Sequence, residues 1–153
     1  MLEQAVAAMT ELLASPGNPS SLHASGRKAR RHVEESREKV ARALGSRPTE
    51  VIFTAGGTEA NNIALKGIAW NQRDQDSRRT RIVASGVEHH AVIDPIQWLV
   101  DSDGFTVTWI EVTPDGQVTP EALRQALGDD PSDVALVSVM MANNEVGTVN
   151  DIA

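Results

Sequence analysis

The hydrophobic pattern changes character near residue 50. Before it, apolar positions recur at helical spacing; after it, short apolar runs alternate with amphipathic stretches. Residues 2–14, rich in Ala and Leu, read as a helix. Ser15-Pro-Gly-Asn-Pro-Ser-Ser21 holds two prolines and a glycine and reads as a loop. Ser25 or Gly26 is expected to cap a second helix, about 27–44, with Ala29, Val33, Val40 and Leu44 on one face. Glu35 and Lys39 add an i,i+4 pair, Gly45 fits the position after the helix, and Pro48 stops continuation. The alternation then predicts strand 51–54, helix 58–72, strand 81–85 and helix 91–102, with Pro95 in the first turn of the last. Strand 105–110 follows, then the turn Thr113-Pro-Asp-Gly116 and helix 120–127, which opens on Thr119 as N-cap with Pro120 at its first position. Strand 134–140 is an almost continuous apolar run, the pattern of a strand buried on both faces. A βαβαβ order of this kind implies an α/β fold with a largely parallel sheet.

Composition narrows the class. The chain has 153 residues, a length typical of one domain, and 41% of them are hydrophobic. No apolar run approaches the ~20 residues that cross a bilayer. The start, Met1-Leu-Glu-Gln-Ala, has neither a basic region nor a long apolar one, so no signal peptide is expected. Cysteine is absent, which excludes disulfides and thiolate metal sites. A cytoplasmic location follows by default, with no membrane partner. Charge is uneven: the first 81 residues hold 13 of the 14 Lys and Arg but 9 of the 21 Asp and Glu, giving +4 there and −11 in the rest. The basic run Arg27-Lys-Ala-Arg-Arg31 is followed on the same predicted helix by Glu34, Glu35 and Glu38, so it reads as a solvated face. Few aromatic side chains are available for stacking bases, and the acidic second half would repel a phosphate backbone, so nucleic acid is not an expected partner.

Ligands of open α/β sheets bind outside the carboxyl ends of the strands. Three such ends carry unusual residues here. Strand 51–54 runs into Ala55-Gly56-Gly57-Thr58 and then a helix. Glycines let backbone approach a ligand closely, and the first N–H groups of a helix lack internal partners at the positive end of its dipole, so a phosphate fits there with the Thr58 hydroxyl as a further donor. An ordinary turn with Thr58 as N-cap is the alternative. Strand 81–85 is followed by Glu88-His89-His90, and strand 134–140 by Ala142-Asn143-Asn144-Glu145. One rim is thus expected to offer a phosphate cradle, an imidazole and an amide together. His89 as a plain helix-start residue and Asn143-Asn144 as a plain turn remain the alternatives. Adjacent histidines point apart, so a metal site is not expected.

Four stretches, in order and spacing, resemble the NifS-like cysteine desulfurases of the class V aminotransferase superfamily, fold-type I pyridoxal-phosphate enzymes. They are Gly17-Asn-Pro-Ser-Ser-Leu-His23, Val51-Ile-Phe-Thr-Ala-Gly-Gly-Thr-Glu-Ala-Asn-Asn62, Glu88-His-His-Ala-Val-Ile-Asp94 and Val137-Ser-Val-Met-Met-Ala-Asn-Asn-Glu-Val-Gly147. The resemblance implies that the chain is part of the fold-type I large domain, an incomplete, mainly parallel sheet flanked by helices, with residues 1–153 as one partial cofactor-binding domain and the small C-terminal domain absent. It implies pyridoxal 5'-phosphate as cofactor. Gly57 and Thr58 would hold its phosphate, His89 would stack on the pyridine ring and help move protons, and Asn144 would hydrogen-bond the ring's 3-oxygen. Asn18 and His23 fall in a motif near the family's active site. The implied substrate is L-cysteine and the implied products are L-alanine and persulfide sulfur, passed to a sulfur-acceptor protein for iron-sulfur cluster or thio-cofactor assembly. The family enzyme is a homodimer.

Several parts of that machinery are not in this sequence. The family's Schiff-base lysine follows a histidine downstream of the Asn-Asn-Glu motif, whereas Lys28, Lys39 and Lys66 stand elsewhere. The acid that pairs with the pyridine nitrogen and the sulfur-accepting cysteine are also missing. The chain therefore reads as a fragment, inactive alone; the alternatives are a non-catalytic remnant or interaction fragment, or another class V lyase. The resemblance also implies a seven-stranded sheet in which 81–85 and 105–110 are neighbours, one later strand separates 81–85 from 134–140, and two separate 134–140 from 51–54. With those strands absent, unpaired edges would make the isolated chain aggregation-prone or molten.

Overall fold

The structure, a computed structural model, describes residues 1–152. Five helices and three strands are present among them: α1 (Glu3–Leu13), α2 (Ala24–Leu44), α3 (Gly57–Gln75), β1 (Arg81–Ser85), α4 (His90–Asp103), β2 (Thr106–Ile110), α5 (Pro120–Leu127) and β3 (Val134–Ser138). A 3-10 turn at Pro48–Glu50 precedes α3. The chain divides into two compact units, the first Met1–Phe53 and the second starting at Thr54.

In the first unit, α2 begins earlier than its apolar spacing suggested. His23, not Ser25 or Gly26, is its N-cap: the ring Nδ1 accepts from the Gly26 N–H at 3.2 Å and lies 2.8 Å from the Ser25 hydroxyl. The preceding loop is tight. A Cβ on Gly26 would come within 2.4 Å of the Ser21 carbonyl, so the loop closes only on glycine there. Asn18 Oδ1 accepts from the Ser20 N–H at 2.9 Å, which shapes the same loop. The buried line of α2 runs through Gly26 and Ala41, while Leu44 is exposed. Gly45, at φ 65°, ends the helix as expected.

Residues 51–54 form no strand. Val51 is extended, but no ladder reaches this segment among the described residues, and a strand exists only when another backbone pairs with it. Arg37 secures part of it within the first unit, donating to the Val51 carbonyl and placing its guanidinium 5.0 Å from the Phe53 ring centre.

The second unit is a parallel sheet with helices against it. The strand order is β2-β1-β3, all parallel, with Val83 opposite Thr108 on one side and Val137 on the other. This corrects the expected order: β1 pairs with β3 directly, and no strand stands between them. β1 is accordingly the most buried strand; Ile82, Val83 and Ala84 have no exposed surface. Ile82 and Ala84 pack in a core with Leu65 and Ala69 of α3, Val92, Ile96 and Leu99 of α4, Phe105, and Ala135 of β3. Each fully buried Ile or Leu contributes ~1.5–3 kcal/mol. β3 is shorter than expected and only partly covered. Ala135 is buried but Val137 is 45% exposed, because β3 is an edge of this sheet. α4 starts at His90, so Pro95 falls in its second turn, buried against the core. Gly104, at φ 72°, closes α4.

Candidate functional site

Two cavities flank the start of α4. The first, about 570 Å³, lies beyond the carboxyl ends of β1 and β3 and is lined by Gly86–His90, by Val112–Gly116 and by the loop bearing Asn143 and Asn144. His89 is the N-cap of α4. Its Nδ1 accepts from the Ala91 N–H at 2.9 Å, which leaves the ring proton of the neutral form on Nε2. The ring is exposed at the cavity. Asn144 is exposed in the same cavity. The facing loops are tied down. Asn150 is buried, donates to the Met140 carbonyl at 2.8 Å and accepts from the Val118 N–H at 2.9 Å. The Thr148 hydroxyl donates to the Asp115 carbonyl.

The second cavity, about 760 Å³, opens at the N-terminus of α3. Gly56 is the N-cap and supplies no side-chain partner to the first turn, so the leading N–H groups of α3 remain available to a ligand. A Cβ built on Gly56 or Gly57 would meet nothing within 4 Å, which leaves open space over the turn. Thr58 is exposed there. Glu59 turns its carboxylate back to the Ala55 N–H, at 2.7 Å. Lys66 and Trp98 close the far side, with the ammonium 3.8 Å from the ring centre. Lys66 is therefore a half-buried cation on an aromatic face and not a plain surface lysine.

The three motifs are thus distributed over two neighbouring cavities, two of them at strand ends and the Gly57–Thr58 turn after a segment that forms no strand. His89 and Asn144 share the first, Gly57 and Thr58 line the second, and His90 borders both. His90 also lies 3.6 Å from Asp94 one turn on. Among the described residues no cluster of three or more His, Asp or Glu is arranged to hold a metal.

Pattern reading gave Glu88 no role. It is buried beside His89, and its Oε1 has no hydrogen-bond partner. Burial pushes its carboxyl above the ordinary glutamate range, and the Met140 backbone and Ser138 side chain offset this only in part. A carboxylate three residues beyond the apolar strand Arg81–Ser85 is the available signal. Asn143, read together with Asn144 as an amide or a plain turn, has no role of its own in that reading.

In a parallel α/β unit, the crevice outside the carboxyl ends of the strands is where ligands bind, and polar residues gather there in this chain. The aminotransferase class-V signature covers residues 1–153, and the chain belongs to that family. It is 57% identical over 149 residues to an IscS-like cysteine desulfurase of Mycobacterium tuberculosis, covering 97% of this chain and 38% of that protein. Among solved structures, a NifS-like protein matches at TM-score 0.76 and 41% identity, over 88% of this chain and 35% of its own. A structure of SspA in complex with cysteine matches at TM-score 0.83 and 29% identity, over 99% of this chain and 42% of its own. The chain spans roughly a third of the length of the curated relatives it matches, from 32% to 38%. Among its described residues, no helix is long and apolar enough to cross a membrane.

Proposed function

We propose that these residues form the cofactor-holding part of a pyridoxal-phosphate-dependent cysteine desulfurase, which takes sulfur from L-cysteine and leaves L-alanine. The observation that carries the reading is the pair of cavities about the start of α4, one at an uncapped glycine turn and one holding an exposed imidazole and amide. The residues present suit the cofactor's chemistry. The α3 N-terminus, with open space at Gly57 and the Thr58 hydroxyl beside it, offers donors to a phosphate. The His89 ring offers a flat face for an aromatic ring and a proton at Nε2, because its Nδ1 is occupied by the helix cap. The exposed Asn144 side chain offers an amide donor to a ring oxygen. Bound pyridoxal phosphate supplies an electron sink for cleaving bonds at the substrate's carbons. The substrate assignment is supported by the desulfurase relatives and by the SspA complex with cysteine. We place the protein in the cytoplasm as a homodimer that passes sulfur to an acceptor protein.

The reaction's lysine and sulfur-accepting cysteine are not among these 153 residues. Cysteine is absent, and Lys66 is stacked on Trp98. The chain alone therefore binds cofactor without turnover. Incubation with pyridoxal phosphate and L-cysteine releases no more sulfide than free cofactor does, and turnover lost on Lys66→Ala would overturn that assignment. Thr58→Ala weakens cofactor binding by about 10- to 150-fold, the range for one hydrogen bond to a charged group. Equal affinity of the variant and the parent in a fluorescence titration removes Thr58 from the site.

A further inference from the structure

Two adjacent asparagines lie in the first cavity, and they are bonded very differently. Asn144 leaves its side chain exposed. Asn143 spends its amide on the protein. Its Oδ1 accepts from the Glu145 N–H at 2.8 Å and the Val146 N–H at 3.0 Å. Its Nδ2 reaches across 56 positions of sequence and donates to the Val87 carbonyl at 3.0 Å. Its main chain is fixed as well, the N–H donating to the Thr148 carbonyl at 2.8 Å and the carbonyl accepting from the Gly147 N–H at 3.0 Å. An amide side chain has two donors and two acceptor lone pairs, so both acceptor sites and one donor are already committed.

The Val87 carbonyl is a telling partner. β1 pairing ends at Ser85, and His89 is held at the start of α4. Between them, Val87 is tied by its N–H to the Ser85 hydroxyl, a bond local to its own loop. The Asn143 bond is different, because it joins the His89 loop to the Asn144 loop. We propose that Asn143 is a positioning residue: one half of its amide shapes the turn that presents Asn144, and the other half sets the His89 loop against it. It contacts no ligand itself and acts through its two neighbours. The structural half of this proposal stands by itself; its consequence for cofactor binding rests on the function proposed above.

The two halves of the amide separate in Asn143→Asp. The carboxylate keeps the acceptor for the Glu145 and Val146 N–H groups, loses the donor, and sets a negative charge against the Val87 carbonyl. In the ligand-free chain, nuclear magnetic resonance of Asn143→Asp is expected to show protected Glu145 and Val146 amides as in the parent. The His89 ring nitrogens shift, and exchange of the Ala91 amide rises roughly tenfold, the effect of losing one net hydrogen bond. Asn143→Ala, which removes both halves of the amide, is expected to leave the Glu145 and Val146 amides unprotected as well. Asn144→Ala leaves the ligand-free signals alone. In the unmutated chain, one side-chain amide proton of Asn143 exchanges slowly; rapid exchange of both protons overturns the proposal without any variant. So do unshifted His89 signals in Asn143→Asp. Titration with pyridoxal phosphate is the second arm. Both Asn143→Asp and Asn144→Ala weaken binding, and full-strength binding by Asn143→Asp overturns the positioning role. If the parent chain binds no pyridoxal phosphate, the function proposed above fails while the ligand-free arm still decides Asn143.

Discussion

Glu88 holds a carboxyl group against Met140 and Ser138 with Oε1 unpartnered and buried. Desolvation raises its folded pKa above the ordinary 4.5, so between 4.5 and the raised value the folded chain binds a proton that the unfolded chain has released. Stability contributed by the protonated carboxyl is complete below 4.5 and falls as pH rises through the folded pKa. Asp133 and Asp103 behave oppositely: Arg81 lowers the first, and Trp70 with Arg73 lowers the second, so their contributions hold above 3.8 and fade below it. The two windows do not overlap. We expect Glu88→Gln, a neutral isostere, to flatten the loss of stability as pH rises above 4.5, measured as the difference in urea midpoint between variant and parent. Parallel curves would place no buried charge there. Residue identity alone made His89 a candidate, but not its tautomer. That depends on the Ala91 N–H, which comes into range only once α4 has formed.

At the scale of elements, Arg81 joins three pieces of chain. Its guanidinium meets Asp133 at 2.8 to 3.1 Å and donates to the Ala126 and Leu127 carbonyls at 2.8 and 2.9 Å. It therefore caps the last turn of α5, where a cation also complements the helix dipole, and fixes the entry to β3. Arg81→Ala is expected to destabilise the chain by about 2–3 kcal/mol, a few charge-assisted bonds discounted because Asp133 is 46% exposed and water replaces part of the loss. Arg81→Lys recovers little of it, since an ammonium lacks the planar fork. Denaturant midpoints at unchanged m-values measure both, and a drop under half a kcal/mol for Arg81→Ala would show the network to be idle. Element boundaries were legible where local chemistry sets them: Thr119 accepts from the Ala122 N–H at 3.1 Å and caps α5 as its sequence signals. The cap of α2 was missed because a histidine took the position that Ser25 or Gly26 was expected to fill.

For the whole second unit, the strand order decides what folding requires. The expected gap beside β1 is absent, since β2 and β3 pair with it on both sides. The unpaired backbone lies instead along the outer edges of β2 and β3, with Val137 partly exposed on the latter. Exchange of backbone amides is expected to be slowest in Ile82, Val83 and Ala84. In β3 it alternates, slow for groups aimed at β1 and fast for those on the outer edge. Uniform protection from Val134 to Ser138 would mean that another backbone covers that edge, and uniform fast exchange would mean that the β1–β3 ladder is not formed. The aggregation expected of the isolated chain then belongs to two ordinary sheet edges, a smaller hazard than orphaned central strands.

The succession of helices and strands after residue 57, the glycine stops at Gly45 and Gly104, and the residue types gathered at the strand ends are legible in the chain before any contact is known. These depend on periodicity, caps and turns, which act over a few residues. Tertiary structure alone decided the rest. Residues 51–54 have strand-like side chains but no strand, because pairing needs a partner that composition does not supply. The apolar run at β3 is only partly buried, because burial depends on what covers a strand and not on its own residues. Asn143 and Asn144 are identical and adjacent in sequence, yet one amide is committed to Val87, Glu145 and Val146 while the other is exposed at the cavity. The bond to Val87 spans 56 residues, and its physics is geometric: a hydrogen bond exists when the fold brings donor and acceptor to 3.0 Å.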